Sequence, residues 1–466
     1  MLDLSKLVDD VAKKKINISD FLDFLVEDAL NKKASDIHIE AKEGHNLLIR
    51  YRVDGVLRDI LKINEDLEES LIFIIKVRAK LRTDIHFAPQ DGKILFKVKI
   101  EKKNLPKEDI PVKDVDKKEE PKIEEEKEDK EKTKGFAKII EGIKNAGQDK
   151  SNTDDGTYDV DGRISILPVT HGEKVVIRLL SQANRSYALT DLGMSEKDLL
   201  KLQKAYKEPY GLILVTGPTG SGKTTTLYSI LKILNSREVN ITTIEDPVEY
   251  SIDGVNHIQI NVKGDLTFAN GLRSILRQDP NIIMVGEIRD VETARITVNS
   301  ALTGHLVLST LHANDAISTI PRLLEMGIEP FLIASTLNII VTQRLTRRLC
   351  EKCKTSYTVG KDKEHAELIK LRPDLQKHIS PSDKLYRSVG CKECNNTGYA
   401  GRIGIYEVLD TTKDLRDVII NDPSPDSILA VAKKQGFKLM VEDAISKLKS
   451  GVIDVKELIK VIAVKE

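Results

Sequence analysis

The feature that most constrains the fold is a glycine-rich segment near the middle of the chain. An uninterrupted apolar run at 212–215 precedes this segment and predicts a buried strand, and an amphipathic stretch at 225–234 follows it and predicts a helix. A glycine-rich turn between a strand and a helix is typical of phosphate-binding loops in α/β proteins. The segment matches the pattern G-x-x-x-x-G-K-[ST] in full, with Gly217, Pro218, Thr219, Gly220, Ser221, Gly222, Lys223 and Thr224.

Each part of this loop suits a triphosphate. Glycines let backbone N–H groups curve around phosphates, Lys223 can reach the β and γ phosphates, and the Thr224 hydroxyl can bind Mg²⁺. Thr225 extends the binding segment into the first turn of the helix. A chance glycine-rich loop is the alternative, and the flanking strand and helix argue against it. We predict that this segment binds ATP with Mg²⁺.

A cluster of carboxylates follows the next apolar run, at 241–244. Glu245, Asp246 and Glu249 come where a parallel strand would end. Open α/β sheets bind ligands at the carboxyl ends of their strands, so we expect these side chains near the phosphates. Glu245 and Asp246 are predicted to contribute to the Mg²⁺ shell, and a solvated loop is the alternative.

A third apolar run, at 282–285, delivers a candidate general base. Many phosphate-loop ATPases place an Asp here for Mg²⁺, with a Glu beside it that polarises the attacking water. Gly286 occupies the Asp position in this chain, and Glu287 follows it. We therefore predict Glu287 as the general base, with metal binding shared by the carboxylates at 245–249.

Two histidines flank a fourth apolar run, at 306–309. His305 precedes this predicted strand and His312 follows it. A lone histidine is usually structural. Because this strand is expected beside the phosphate-loop strand, we predict that both histidines sense the γ-phosphate.

The four cysteines of the chain form two C-x-x-C pairs separated by 37 residues, with Cys350 and Cys353 in the first and Cys391 and Cys394 in the second. Two such pairs suit tetrahedral Zn²⁺, and four protein ligands leave no open position for catalysis. We predict a structural zinc site, which contributes folding free energy. A redox pair or another metal is the alternative.

The pattern of strands and helices predicts two α/β lobes. The predicted ranges are an N-terminal tail at 1–17, an α/β domain at 18–183, a linker at 184–195, an ATPase motor at 196–345, a tetracysteine module at 346–398 and a C-terminal helical extension at 399–466. An insert at 104–155 interrupts the first domain. Of the 35 residues at 101–135, 24 are charged, so we expect disorder there. An apolar stripe at 136–143 suits either a transient helix on a tether or a docking helix.

Composition excludes some classes of protein. Lys plus Arg and Asp plus Glu both number 73, and Trp is absent, which argues against a nucleic-acid surface. The first fifteen residues lack the apolar core of a signal peptide. No run of about 18 apolar residues occurs, so we expect an intracellular, soluble chain.

Together these motifs resemble the secretion ATPases of type II secretion and type IV pilus assembly, from about residue 18 to the end of the chain. The matching segments resemble that family's Walker A, Asp box, Walker B and His box in the correct order, and they lie at 34–40, 50–56, 217–224, 243–249, 276–280, 285–290 and 304–312. The resemblance implies a RecA-like phosphate-loop domain preceded by a smaller PAS-like α/β domain, with a zinc clip and C-terminal helices.

The resemblance also implies roles for individual residues. Glu249 and Glu287 would act on metal and water, and the two histidines would lie near the γ-phosphate. Arg163 and Arg178 match positions that supply arginines to the nucleotide of the same or a neighbouring subunit, where they would neutralise charge on the phosphates. A pair of ordinary surface arginines is the alternative.

The family further implies a hexameric ATP-driven motor at the inner face of the cell membrane, acting on an inner-membrane platform protein. The cysteine module favours pilus extension or export over retraction, because retraction members typically lack it. The matching region begins almost at once, so we expect the large N-terminal docking domain of the export members to be absent. A nucleic-acid translocase with zinc knuckles and a nucleotide-binding scaffold without hydrolysis are the alternative functions.

Overall fold

A computed structural model of the chain describes residues 4–43, 46–63, 67–99, 157–180, 188–370 and 372–462. The chain divides into two compact units, residues 1–186 and 187–466. The insert predicted at 104–155, with its apolar stripe, lies outside the described residues. None of the helices in the described ranges is both long enough and apolar enough to cross a membrane.

The first unit is an antiparallel sheet with helices packed on it. Its described elements are α1 Leu4–Ala12, α2 Ile18–Asn31, β1 Ala34–Lys42, β2 Asn46–Val53, β3 Val56–Ile63, α3 Glu68–Arg78, β4 Gln90–Lys99, β5 Thr157–Val169 and β6 Gly172–Leu180. The strand order is β3-β2-β1-β6-β5-β4. A tight hairpin joins β2 to β3, where Asp54 and Gly55 have φ of 49° and 82°, as a two-residue turn of this kind requires.

Alternation along β1 separates a helix-covered face from a charged face. Ile37 and Ile39 are fully buried with Phe21 and Leu22 of α2 in one apolar core. The prediction of a tail at 1–17 is corrected, because helix α1 lies within this range and buries Leu4 in this core. Its apolar residues recur at helical spacing, so packing on the sheet stabilises a short helix that would be marginal alone.

The second unit is built on a mostly parallel sheet. Its described elements are α4 Glu196–Lys207, β7 Gly211–Thr216, α5 Lys223–Leu234, β8 Ile241–Glu245, β9 Val255–Gln259, α6 Phe268–Ile275, β10 Ile282–Val285, α7 Val291–Leu302, β11 Leu306–Leu311, α8 Ala316–Glu325, α9 Pro330–Thr336, β12 Leu337–Leu349, β13 Thr355–Thr358, α10 Lys363–Lys370, α11 Pro373–Gln376, β14 Lys384–Arg387, β15 Tyr399–Asp410, α12 Lys413–Asn421, α13 Pro425–Lys434, α14 Met440–Lys449 and α15 Val455–Val461.

The order of this sheet is β15-β12-β7-β11-β10-β8-β9. Its strands pair in parallel except β15, which runs antiparallel to β12. Central strand β7 is buried along its whole length, with Leu212 in the core on one face and Ile213 in the core on the other. Helices therefore cover both faces, as parallel sheets require.

Two predicted boundaries in this unit need correction. The extension predicted as helical at 399–466 begins with the long strand β15, an edge strand of the motor sheet. Residues 188–195 of the predicted linker also belong to this unit, since Leu189 and Met194 are buried in its core. Both errors arise because pairing with distant β12 and packing on the sheet decide these segments, not their local sequence.

Candidate nucleotide site

The glycine-rich segment forms a tight loop between β7 and α5. Gly217, Gly220 and Gly222 have φ of 134°, 77° and 89°, in the region that side-chain-bearing residues rarely adopt. Gly222 is the N-cap of α5, so the loop opens directly onto a helix N-terminus. Backbone N–H groups and the helix dipole there favour an anion. The buried Ser221 hydroxyl makes no hydrogen bond within the described residues.

Lys223 is the cation of the loop. Its Nζ donates hydrogen bonds to the carbonyl oxygens of Gly217 at 2.9 Å and Pro218 at 3.2 Å. Burial lowers the pKa of Lys223, and the negative charge of Glu287 opposes that shift. The ammonium group is thus held over the loop, close to the carboxylate predicted as the general base.

Glu287 directly follows Gly286 at the carboxyl end of β10, and its side chain is 16% exposed. Arg289 forms an ion pair with one of its oxygens, and the Nε2 of His312 lies 3.3 Å from the other. Burial would raise the pKa of Glu287, but hydrogen bonds and charge from Arg289 and His312 outweigh it and hold this pKa below its usual value. The carboxylate is therefore ionised near neutral pH, the form that a general base needs.

The two histidines lie at opposite edges of the sheet. His312 follows β11 at the carboxyl edge, beside Glu287. His305 precedes β11, and its Nδ1 lies 3.0 Å from the carbonyl oxygen of Ser300 near the end of α7. Seven residues of extended chain separate the histidines by roughly 20 Å. The prediction that both sense the γ-phosphate is therefore corrected for His305, which contacts the end of a helix, and it stays a prediction for His312.

The predicted Mg²⁺ role of Glu245 is also corrected. This side chain is 3% exposed, and one oxygen accepts a hydrogen bond from the Tyr228 hydroxyl at 2.6 Å. The other accepts from the Thr243 hydroxyl at 2.6 Å and lies 2.9 Å from Nδ1 of His257. Because the Nε2 of His257 accepts the backbone N–H of Ile252, Nδ1 carries the proton in the neutral ring. As the last residue of β8, Glu245 points into the core on one face of the sheet.

Asp246 and Glu249 are better placed for a metal. Asp246 follows the end of β8, is 43% exposed and lies 3.7 Å from Arg289. Glu249 is half-buried in the segment between β8 and β9. Thr224 is half-buried in the first turn of α5 with Thr225 beside it. These oxygen donors are of the type that Mg²⁺ prefers.

A matched pair of substitutions separates the structural carboxylate from the exposed one. We expect Glu245→Gln to lower the free energy of unfolding by about 2 kcal/mol or more, because an amide cannot accept from all three donors. Asp246→Asn, at the next position, should change it by less than about 0.5 kcal/mol. Urea unfolding of both variants measures this, and equal effects would contradict the corrected role of Glu245.

In the first unit, the two candidate arginines lie side by side. Arg163 on β5 pairs in register with Arg178 on β6, on the face away from the helices. The Nε of Arg178 donates to Asp36 Oδ1 at 3.1 Å, and 62% of the Arg178 side chain is exposed. Two neighbouring guanidinium groups on an open sheet face suit an anionic partner.

The four cysteines come together, as their spacing predicts. Their sulfur atoms lie within 4.8 Å of one another, with Cys350–Cys391 at 4.0 Å and Cys353–Cys394 at 3.8 Å. Tetrahedral Zn²⁺ with Zn–S bonds of about 2.3 Å would separate its sulfurs by about 3.8 Å. The thiols therefore fit zinc.

The Cys394 thiol is prepared for the anionic form. Burial would raise its pKa, but backbone N–H groups of Cys391 and Gly398, each 3.2 Å from the sulfur, contribute to lowering it to about 6. The pKa of Cys353 shifts in the opposite direction, because burial raises it to about 11. The Cys394 thiolate beside the Cys353 thiol is a site that a cation would complete, because metal binding displaces thiol protons.

Comparison with known proteins shows the family of the chain. The family of Type II/IV secretion system proteins matches residues 11–116 and 152–460, and the chain belongs to this family. The chain is 39% identical over 468 residues to type II secretion system protein E of Pseudomonas aeruginosa, covering 99% of this chain and 80% of that protein. It is 37% identical to the type IV pilus assembly ATPase PilB of Myxococcus xanthus, covering 98% and 69%. The ATPase DotB of Legionella pneumophila shares the fold, with a TM-score of 0.60 at 20% identity over 94% of both chains.

One residue at the site escaped the sequence analysis. Gln343, on β12, contacts the phosphate loop from behind, 122 positions away from Ser221. The available signal was weak, because Gln343 is one of three consecutive polar residues at 342–344 that follow the apolar run at 339–341, and sequence alone does not tell which element faces it.

Proposed function

We propose that this chain hydrolyses ATP at the loop formed by residues 217–225 and uses the energy to drive pilus or pseudopilus assembly and protein export. The observation that carries the proposal is the convergence of Lys223, Glu287 and His312 from three separate segments at one edge of the sheet. Membership of the secretion family supports the role in assembly and export.

The chemistry follows from these side chains. Glu287 would accept the proton of the water that attacks the γ-phosphorus, and Lys223 would neutralise charge on the phosphate oxygens. His312 holds the Glu287 carboxylate and would meet the γ-phosphate. Thr224, with Asp246 and Glu249, would hold Mg²⁺, which supplies further charge neutralisation.

Assembly of several chains into a ring would complete the proposed motor. Arg163 and Arg178 would reach a nucleotide of the same or a neighbouring subunit within a hexameric ring, as arginine fingers do. The ring would act on a platform protein in the inner membrane and lie at its cytoplasmic face, without binding nucleic acid directly. Zn²⁺ held by the four cysteines would fix the module between β12 and β15.

Phosphate release from ATP tests the hydrolytic part of this proposal. We expect the purified chain to release phosphate, and Lys223→Ala to lose both ATP binding and turnover by at least about 100-fold. Lys232→Ala, near the other end of the same helix, is the control and should keep both activities. Equal activity in the two variants would show that the hydrolysis does not use this loop.

A further inference from the structure

Strand β12 carries a buried side chain that contacts both the phosphate loop and the first turn of α5. Gln343 is 2% exposed. Its Nε2 donates a hydrogen bond to the carbonyl oxygen of Ser221 at 2.7 Å, and its Oε1 accepts one from the Thr226 hydroxyl at 2.7 Å. The two contacts lie on either side of Lys223 and Thr224, the residues expected to bind phosphate and metal. The Gln343 amide therefore spans the functional part of the loop.

An amide is the group that satisfies both contacts. The Ser221 carbonyl oxygen can only accept a hydrogen bond, so it requires a donor, and the Thr226 hydroxyl uses its proton toward Oε1. An ionised carboxylate has no donor for Ser221, and an apolar side chain has neither group. Burial makes either loss costly, because the polar atoms that remain cannot turn to water.

The backbone of the loop is also shaped around Gln343. A side chain at Gly217 would place its Cβ 2.3 Å from the Gln343 carbonyl oxygen. At Gly222, a Cβ would lie 3.1 Å from the Gln343 Nε2. Just before the loop, the hydroxyl groups of Thr216 and Thr342 lie 2.6 Å apart. Strand β12 thus fits closely against the back of the loop at several points.

We propose that Gln343 is a positioning residue that holds the phosphate loop in the shape that binds ATP. It acts through Ser221 and Thr226, without touching the nucleotide. This inference rests on the proposed function of the loop and adds a residue from a strand that no sequence motif of the loop includes.

Two substitutions at this position give distinct expected results. Gln343→Met keeps the length of the side chain and removes both hydrogen bonds, so ATP affinity should fall at least about tenfold. The ATP affinity of Gln343→Glu should fall at least as far near pH 8, because its carboxylate repels the Ser221 carbonyl oxygen. Burial favours the neutral form of a carboxyl group. A protonated Glu regains a donor and an acceptor, so ATP affinity in Gln343→Glu should recover toward wild type as the pH is lowered, while Gln343→Met stays weak.

The measurement is displacement of a fluorescent ATP analogue by ATP with Mg²⁺, with the wild-type chain measured at every pH. The matched control is Thr346→Val, which removes a buried hydroxyl on the same strand that bonds to Glu457, away from the loop. It should keep wild-type ATP affinity despite a comparable loss of stability. If both Gln343 variants unfold, Thr226→Val removes the same contact from the other side and should weaken ATP binding several-fold.

The possible failures are distinguishable. A wild-type chain that does not bind ATP would refute the proposed function itself. If the wild-type chain binds ATP and Gln343→Met has unchanged ATP affinity, the role of Gln343 alone is overturned. If both Gln343 variants unfold, unchanged ATP affinity in Thr226→Val overturns it in the same way. Equal weakening in Thr346→Val would also overturn it, because the effect would then reflect stability.

Discussion

Replacing Glu287 with Gln is expected to slow ATP hydrolysis by at least about 100-fold while ATP affinity stays within about threefold of wild type. The amide keeps the shape of the side chain, but it cannot take a proton from water. Glu287 is held by Arg289 and His312 and remains ionised near neutral pH, because their charge keeps its pKa low. The substitution should therefore affect turnover far more than binding.

The matched control for this result is Glu292→Gln, at the second residue of α7 and outside the phosphate loop. Glu292 is 59% exposed and pairs with Arg273 on the surface, so its loss should leave both turnover and binding near wild type. Steady-state phosphate release and equilibrium ATP binding, measured on the same samples, separate the two effects. A parallel fall in affinity for Glu287→Gln would indicate that the residue shapes the site instead of acting on water.

Removal of the metal from the cysteine module is expected to have the second largest effect. Cys350→Ser combined with Cys391→Ser should release about one equivalent of Zn²⁺ and unfold the segment from β13 to β14, since the site supplies folding free energy. Zinc content by mass spectrometry and amide hydrogen exchange would measure the loss. Lys352→Ser, between the first two cysteines, is the control and should retain the metal.

Loss of zinc should also destabilise the C-terminal helices, because specific contacts join them to the cysteine module. Arg347 stacks on the Tyr399 ring at 3.8 Å and pairs with Glu457. Tyr399 in turn donates a hydrogen bond to Asp454 at 2.7 Å. Faster exchange is therefore expected in α15 as well, with the sheet around β7 protected. Unchanged exchange in a chain without zinc would contradict a structural role for the metal.

Local sequence was sufficient for much of this fold. The phosphate loop, its strand and its helix are one contiguous segment, and the antiparallel hairpin at Asp54 and Gly55 depends on two adjacent residues. Glu287 could be placed at the sheet edge because it follows an apolar strand. In each case the residues that determine the structure are neighbours in the chain.

The errors in the sequence-based predictions have a different cause. The position of each of these residues depends on the direction of a strand or side chain, or on contacts with residues distant in the chain. His305 and His312 flank the same strand, and only the direction of that strand tells which one reaches the phosphate edge. Glu245 ends a strand as Asp246 follows it, but its side chain turns into the core toward Tyr228. Gln343 meets the loop only after β12 has paired with β7, which no local pattern reports.

The most direct test of the central claim compares three chains in one experiment. ATP binding and phosphate release are measured on purified wild type, Glu287→Gln and Lys223→Ala, each separated by size into single chains and rings. We predict that wild type binds and hydrolyses ATP with turnover concentrated in the rings, that Glu287→Gln binds ATP without hydrolysing it, and that Lys223→Ala does neither. Equal phosphate release by all three chains would contradict an ATPase centred on Lys223 and Glu287.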